Sequence, residues 1–234
     1  MNKTRTKTKS NIVTNPVKVK RSSFARPPSN KCIKVFMDAA EIKQLLGGRI
    51  SGVNILKKRE INYPLYYYRF INDAHEMSRA TTPKYVGKVH TLFKERKFRY
   101  LGEWVKWHNS KYPGCVGKAV NKIWDILESA GIDKKCKREY RRYIKKFVEN
   151  LLYNQTYTGL KIQEVILMKI SKIMKQKYKW SDACDDSLGI DGFVGDIPIS
   201  IKPSSNKVAK KAGTKRVYYD IDTKNNILSF TLSL

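Results

Sequence analysis

Acidic residues are scarce in this chain. Twenty Asp and Glu stand against 48 Lys and Arg, which gives a formal net charge of +28 over 234 residues. A charge of this size attracts polyanions, and nucleic acid is the partner that it favours. The alternative is a lysine-rich proteome in which the charge has no specific role. The composition predicts binding and says nothing yet about chemistry.

Cysteine, histidine and long apolar runs are also limited. The four cysteines are widely spaced without a CxxC pair and only three histidines exist, which argues against a zinc site and a disulfide framework and suits a reducing cytosol. No apolar run approaches the roughly 20 residues of a membrane span, and the first residues lack the apolar segment of a secretory signal. We expect a cytoplasmic protein without a membrane partner.

The chain divides into three regions by composition. Residues 1–31 carry nine basic residues, three prolines and no acid, which predicts a disordered basic arm. Residues 32–153 read as a mainly helical, DNA-engaging region, and residues 154–234 as a core of strands with one long helix. The expected fold class is α+β, with a small mixed sheet flanked by helices.

Two segments near the start of the helical region are ambiguous. "KVFMDAAEIKQLLGG" is interpreted as a short helix that ends at Gly47 and Gly48. "YPLYYYRF", residues 63–70, favours a strand because it is aromatic and follows turn residues. We expect its tyrosines to lie in the core, and the alternative is that they stack on bases.

A helix after Asp133 carries a basic face. Eight cations occur between residues 134 and 146 against the single Glu139. A solvated face is the usual explanation of a charge run, but eight like charges on about four turns repel one another unless a ligand neutralises them. We therefore expect this helix to follow a phosphate backbone. The eight are Lys134, Lys135, Lys137, Arg138, Arg141, Arg142, Lys145 and Lys146.

A long helix, expected from about Leu160 to Lys177 after a break at "NQTYTG", contains a misplaced acid. Glu164 lies among apolar side chains at helical spacing, where a carboxylate serves no purpose in solubility. One interpretation is an exposed ion pair with Lys161, worth about 0.5 kcal/mol. The other is a buried acid that faces a site.

The stretch "GIDGFVGDIPISIKP", residues 189–203, predicts a β-hairpin with Gly195 and Asp196 in the turn. Counting from this turn pairs Asp191 with Ser200 and leaves Asp191, Ser200 and Lys202 on one face. Cross-strand partners have Cβ atoms about 5 Å apart, so these three side chains are neighbours. Asp196 falls at the tip, where a turn role is favoured over metal binding.

A carboxylate, a hydroxyl and a lysine beside a basic surface suit metal-assisted hydrolysis of a phosphodiester. The carboxylate binds a hard divalent cation through oxygen, and the lysine orients water or offsets phosphate charge. A salt bridge between Asp191 and Lys202 on a surface hairpin explains the same residues. The spacing alone does not separate these two interpretations.

The motif "DGFVGDIPISIK" resembles the PD-(D/E)xK nuclease motif. The order of "NQTYTGLKIQEVIL", the hairpin and "YYDIDTKNNILSFTL" more narrowly resembles the MjaI-type type II restriction endonucleases, which act on short palindromic, CTAG-like sites. The resemblance implies a sequence-specific, Mg²⁺-dependent endonuclease that cuts double-stranded DNA. It further implies a homodimer, and a cognate DNA methyltransferase encoded nearby.

The same resemblance assigns roles at the site. Asp191 becomes the metal-binding aspartate and Lys202 the catalytic lysine, while Glu164 and the carbonyl of Ile201 complete the metal ligands. Ser200 stands where the motif places Glu, Asp or Gln, and a hydroxyl is a poorer ligand. A DNA-binding protein that has lost catalysis, or a homing or repair nuclease, is therefore the alternative function.

Basic residues also follow the hairpin. Five of them, expected in one loop, suit a DNA backbone: Lys207, Lys210, Lys211, Lys215 and Arg216. Two final strands, about residues 217–222 and 227–232, are predicted to turn at Asn225 and Asn226.

Overall fold

A computed structural model describes residues 32–48, 55–56, 64–206 and 213–233. The predicted arm at 1–31 and Lys207, Lys210 and Lys211 lie outside these ranges. The helices within them are α1 Ala39–Leu45, α2 Leu65–Ser78, α3 Pro83–Val86, α4 Val89–Lys94, α5 Leu101–Lys111, α6 Cys115–Ser129, α7 Lys137–Glu149, α8 Thr156–Met174 and α9 Ala183–Ser187. The strands are β1 Cys32–Asp38, β2 Tyr178–Trp180, β3 Gly192–Val194, β4 Ile197–Pro203, β5 Lys215–Asp222 and β6 Ile227–Ser233.

The strands form one six-stranded mixed sheet in the order β1-β6-β5-β4-β3-β2. Strands β4 and β5 run parallel, and the other neighbouring pairs are antiparallel. Helices flank this sheet, so the α+β class is confirmed. Among the helices of the described ranges, none is both long and apolar enough to cross a bilayer.

Two hydrophobic clusters hold these elements together. The helical cluster collects buried residues of α2 to α7, and the sheet cluster collects those of β1, α1 and β3 to β6. Helix α8 contributes to both: Tyr157 and Leu160 pack in the helical cluster, whereas Ile162 and Leu167 pack in the sheet cluster. The apolar residues around most of its circumference are explained by this double burial.

Helices α7 and α8 form one continuous helix. The residues between them, Asn150–Gln155, are a π-helical segment with helical backbone angles at both ends. The predicted break at "NQTYTG" is therefore wrong. Its Asn, Thr and Gly residues weaken a helix, but burial of Tyr153 and Tyr157 at 4% and 7% exposure stabilises it through tertiary packing.

Strand β1 corrects the prediction of a helix across "KVFMDAAEIKQLLGG". Val35 and Met37 alternate with exposed neighbours and pair with β6, which is the period of a strand. Asp38 then caps α1 by accepting a hydrogen bond from the Glu41 amide at 2.8 Å. Residues 32–45 thus pack in the sheet cluster, although the sequence grouped them with the helical region.

The aromatic segment at 63–70 was also mispredicted, because residues 65–78 form α2 instead of a strand. Tyr67, Ile71 and Ala74 are buried at helical spacing. Of the tyrosines in this helix, Tyr67 alone lies in the core, and Tyr66 and Tyr68 are exposed.

The two predicted hairpins are confirmed. Strands β3 and β4 pair Gly192 with Ile199 and Val194 with Ile197, and Gly195 has a positive φ of 58° in the turn. Strands β5 and β6 turn through Asn226, which is also left-handed. Lys215 and Arg216 belong to β5 and not to the preceding loop, because their backbone pairs with β4.

Candidate active site

Asp191 lies directly before β3, at the end of the hairpin far from its turn. Its amide donates to the carbonyl of Ile199 at 2.8 Å, the residue that already pairs with Gly192, so the regular register ends at Gly192 and the predicted pairing of Asp191 with Ser200 is not part of it. Asp196 is exposed at the opposite end, in the turn. The two aspartates therefore occupy different ends of the hairpin, which confirms the prediction that Asp196 lies at the tip.

The Asp191 carboxylate is held by the neighbouring strand. The amide of Ile201 donates to its Oδ2 at 2.6 Å, and the ammonium of Lys202 lies 3.1 Å from Oδ2 and 3.4 Å from Oδ1. The side chains of Lys202 and Asp191 are 27% and 13% exposed, so the pair is partly shielded from water. The predicted neighbours Asp191 and Lys202 are thus in contact.

Ile201 presents more than its amide to this carboxylate. The amide and carbonyl of one residue point to the same side of an extended strand. Because the Ile201 amide points at Asp191 and β3 begins only at Gly192, the Ile201 carbonyl also points toward the side of Asp191. A carboxylate and a carbonyl oxygen consequently share one edge of β4.

Gln163 is a member of the site that the sequence did not reveal. Its amide lies on α8 and donates from Nε2 to Asp191 Oδ1 at 2.9 Å. Rotation of the amide by 180° would present its oxygen to the same place. Helix α8 therefore reaches the site through a neutral residue that sequence patterns of charge cannot detect.

Glu164 has a different neighbour. Its carboxylate accepts a hydrogen bond from Lys161 Nζ at 2.7 Å, and the two residues are only 9% and 4% exposed. The predicted ion pair exists, but it is buried instead of exposed. Within the described residues, hydrogen bonds to the Asp191 carboxylate come from Gln163, Ile201 and Lys202, not from Glu164 or Ser200. A catalytic role for Glu164 stays a prediction.

Ser200 is buried at 2% exposure. It lies between Ile199 and Ile201 on β4 and pairs with Arg216 of the parallel strand β5. A carboxylate at this depth would be costly without a cation or several hydrogen bonds, whereas a hydroxyl is tolerated with one partner. The small neutral side chain therefore suits its surroundings.

A second polar network connects α4 to the site. The ammonium of Lys94 lies 2.7 Å from Asp186 Oδ1 and 2.7 Å from Ser181 Oγ. The Ser181 hydroxyl in turn donates to the carbonyl of Asp191 at 2.9 Å. Lys94 and Asp186 are separated by 92 positions, so only the fold reveals this contact.

The charges of the site act on two further side chains. Desolvation lowers the pKa of His90. The carboxylates of Asp186 and Asp191 partly offset this decrease, and the cation of Lys202 adds to it. Burial raises the pKa of Tyr219, and the negative charge of Asp191 adds to the increase. His90 and Tyr219 therefore lie close enough to the site for its charges to matter.

The fold and the site define a class: an α+β protein in which a β-hairpin holds a carboxylate against a lysine, on a strongly basic chain. Within that class, the chain belongs to the MjaI restriction endonuclease family, whose family model matches residues 68–229.

Two curated relatives support this membership. The type II restriction enzyme MjaI of Methanocaldococcus jannaschii is 36% identical over an alignment of 148 residues, and the match covers 59% of this chain and 65% of that enzyme. The type II restriction enzyme MthZI of Methanothermobacter thermautotrophicus is 32% identical over 178 residues, which are 75% of this chain and 86% of that enzyme. The chain thus spans just under two thirds of the first relative. No solved structure matches significantly.

Proposed function

We propose that this protein is a type II restriction endonuclease that hydrolyses double-stranded DNA at a short, specific, palindromic site with Mg²⁺. The contact between Asp191 and Lys202, with the Ile201 amide fixing the carboxylate, is the observation that carries this proposal. Membership of the MjaI family and the net charge of +28 support DNA as the substrate.

The donor set fits a magnesium ion of the kind that binds few protein ligands. Among the residues described, no group of three or more His, Cys, Asp and Glu side chains surrounds a common point. The Asp191 carboxylate, the Ile201 carbonyl and the Gln163 amide nevertheless offer hard oxygen donors. Mg²⁺ commonly binds through one or two carboxylates and keeps its remaining positions for water and substrate phosphate.

The hydrolysis would divide among the side chains as follows. A water molecule loses a proton to the solvent as its oxygen bonds to phosphorus, the bond from phosphorus to the leaving sugar oxygen breaks, and that oxygen takes up a proton from the solvent. Lys202 donates hydrogen bonds toward the scissile phosphate and offsets its growing negative charge, while Asp191 holds Lys202 in place. A bound Mg²⁺ would polarise the phosphate and lower the pKa of the attacking water.

A homodimer follows from the proposed palindrome. A two-fold symmetric DNA site presents two equivalent phosphodiesters, and two identical subunits place one active site at each of them. A DNA methyltransferase that protects the same sequence should be encoded beside such an enzyme.

Digestion of mapped, unmethylated DNA tests the proposal. Wild-type protein should produce discrete fragments with Mg²⁺ and none with a chelator, and sequencing of the ends should give one short palindrome. Lys202→Ala should abolish cleavage, while DNA binding without divalent ions persists. Intact DNA in the wild-type reaction, or full activity of the Lys202→Ala protein, would contradict the assignment.

A non-catalytic DNA-binding protein is the second candidate, and the buried Ser200 favours it because the usual carboxylate is missing there. Both candidates bind DNA with strong salt dependence, so binding does not separate them. Cleavage by the wild-type protein does.

A further inference from the structure

A cleft between α5, α6 and α7 has two unlike walls. Its volume is about 820 Å³. Helices α5 and α6 contribute an apolar wall with Leu101, Val105, Val116 and Val120, and α7 contributes a wall of cations. The cations are Arg138, Arg141, Arg142 and Lys145.

The cationic wall results from helical spacing. Positions 138, 141, 142 and 145 recur at three and four residues, which places their side chains on one face of α7. The two other basic residues of this helix, Lys137 and Lys146, do not line the cleft. Lys137 lies over the ring of Trp124, and Lys146 lies over the ring of Tyr143, which Arg142 of the cleft also contacts. Four of the six cations of α7 therefore line the cleft, and two do not.

Acidic side chains neutralise little of this wall. Glu149 lies 3.8 Å from Lys145, and with side chains 42% and 63% exposed this pair is weak. Arg141 donates to the neutral amide of Asn121 at 2.7 Å. Arg138 has no ion-pair or hydrogen-bond partner among the residues that the structure describes. Several cations without acidic partners in a concave site raise the local positive potential and attract anions.

We infer that this cleft binds one strand of DNA through its phosphodiester backbone, which rests on the proposed function for its choice of polyanion. From Arg138 to Lys145 the helix rises about 10 Å. Neighbouring phosphates of one B-DNA strand rise about 3.4 Å along the axis and also turn around it, so they are about 6 to 7 Å apart and the row matches about two phosphates. The aliphatic wall opposite suits the apolar edges of the sugars.

Gly117 provides a test that leaves the cations intact. It lies in the first turn of α6, lines the cleft, and has no heavy atom within 4 Å of the position that a Cβ would occupy. A side chain introduced here enters open space. Glu and Gln have nearly the same shape, so Gly117→Glu and Gly117→Gln differ only in the charge placed opposite the arginines.

The Gly117 pair should separate in DNA affinity. Neutralising one phosphate contact lowers the salt slope by about 0.9, which at 0.1 M salt is roughly an eightfold loss. We expect Gly117→Glu to bind a short fluorescent duplex about eightfold more weakly than Gly117→Gln, measured by anisotropy with a chelator present. An acid near a helix N-terminus is favourable for folding, so a folding defect is not expected. Equal affinities would overturn the inference.

Removing two cations gives an independent test. Arg138→Gln with Arg142→Gln should lower the salt slope by about 1.8 and the affinity at 0.1 M salt roughly 60-fold. The matched control, Lys137→Gln with Lys146→Gln, removes the same charge from the same helix outside the cleft and should change affinity only a few-fold. Equal losses in the two double variants would also overturn the inference.

These measurements report DNA binding under conditions without cleavage, so the cleft assignment and the endonuclease proposal can fail separately. If wild-type protein never cuts DNA but the cleft variants lose affinity as expected, the cleft assignment stands and the endonuclease proposal fails. If wild-type protein cuts DNA while the cleft variants bind normally, the cleft assignment fails alone.

Discussion

Glu164→Gln tests whether the buried acid of α8 serves stability, catalysis or both. The substitution leaves the Lys161 ammonium at 4% exposure without its carboxylate partner at 2.7 Å. Breaking a buried ion pair on one side typically costs 3 to 5 kcal/mol. Because Gln retains a hydrogen-bond acceptor and the Glu164 side chain is 12% exposed, we expect the lower end, about 3 kcal/mol.

Thermal unfolding measures this cost. For a chain of this size, 1 kcal/mol corresponds to about 2 to 4 °C, so Glu164→Gln should lower the melting temperature by roughly 6 to 12 °C. Replacing both partners, with Lys161→Met and Glu164→Leu, should recover most of the loss, since apolar replacement of a buried pair is often neutral. Wild-type stability of the Glu164→Gln protein would refute the reasoning.

The double variant also addresses catalysis. If it is stable but cuts no DNA, Glu164 acts at the site as the family resemblance implies. If it is stable and active, the pair is purely structural. Assaying cleavage in the single variant alone would confuse these outcomes, because partial unfolding also lowers activity.

Three further predictions concern the surroundings of the site. Gly192→Ala places a Cβ 2.6 Å from Leu167 Cδ1, so chemical denaturation should show a loss of about 1 to 3 kcal/mol. Lys94→Met leaves Asp186 without its cation, which should cost about 2 kcal/mol and slow cleavage more than it weakens DNA binding. Burial lowers the pKa of His108 below the unfolded value near 6.5, so stability should fall as the pH drops below that value, and His108→Gln should reduce this dependence in unfolding titrations.

Each of the three has a result that would contradict it. Gly159 has open space around its Cβ position in α8, so Gly159→Ala should stabilise the protein, and a similar gain from Gly192→Ala would show that the sheet yields easily. Unchanged stability and turnover after Lys94→Met would remove the second network from the site. A pH dependence that His108→Gln leaves intact would locate the titration elsewhere.

Local patterns were sufficient where local geometry decides the outcome. The β3–β4 register followed from a two-residue turn and alternation, and Gly195 has the positive φ that this turn requires. The sequence alone therefore predicts that Asp191 and Lys202 are neighbours. The ion pair of Lys161 and Glu164 was also visible at helical spacing, although its burial was not.

Contacts between residues far apart in the chain determine the features that sequence patterns do not predict. The segment around Tyr67 is aromatic, as strands often are, but its apolar residues also recur at helical spacing. The helix is favoured because the Tyr67 ring packs against the rings of Tyr140 and Tyr143, with centroids 4.7 Å and 4.6 Å away and more than 70 positions later in the chain. Gln163 is uncharged and Lys94 is one of many lysines, so the sequence does not predict that either residue lies at the site. Contacts of this kind require the fold.

The continuous helix formed by α7, the π-helical segment and α8 limits where members of the family can gain or lose residues. It runs from Lys137 to Met174, carries the cationic wall at one end and Gln163 toward the other, and packs in both hydrophobic clusters. One inserted residue would rotate everything after it by about 100°. Insertions and deletions in homologues should therefore fall in loops, and this stretch should keep its length even where its residues change.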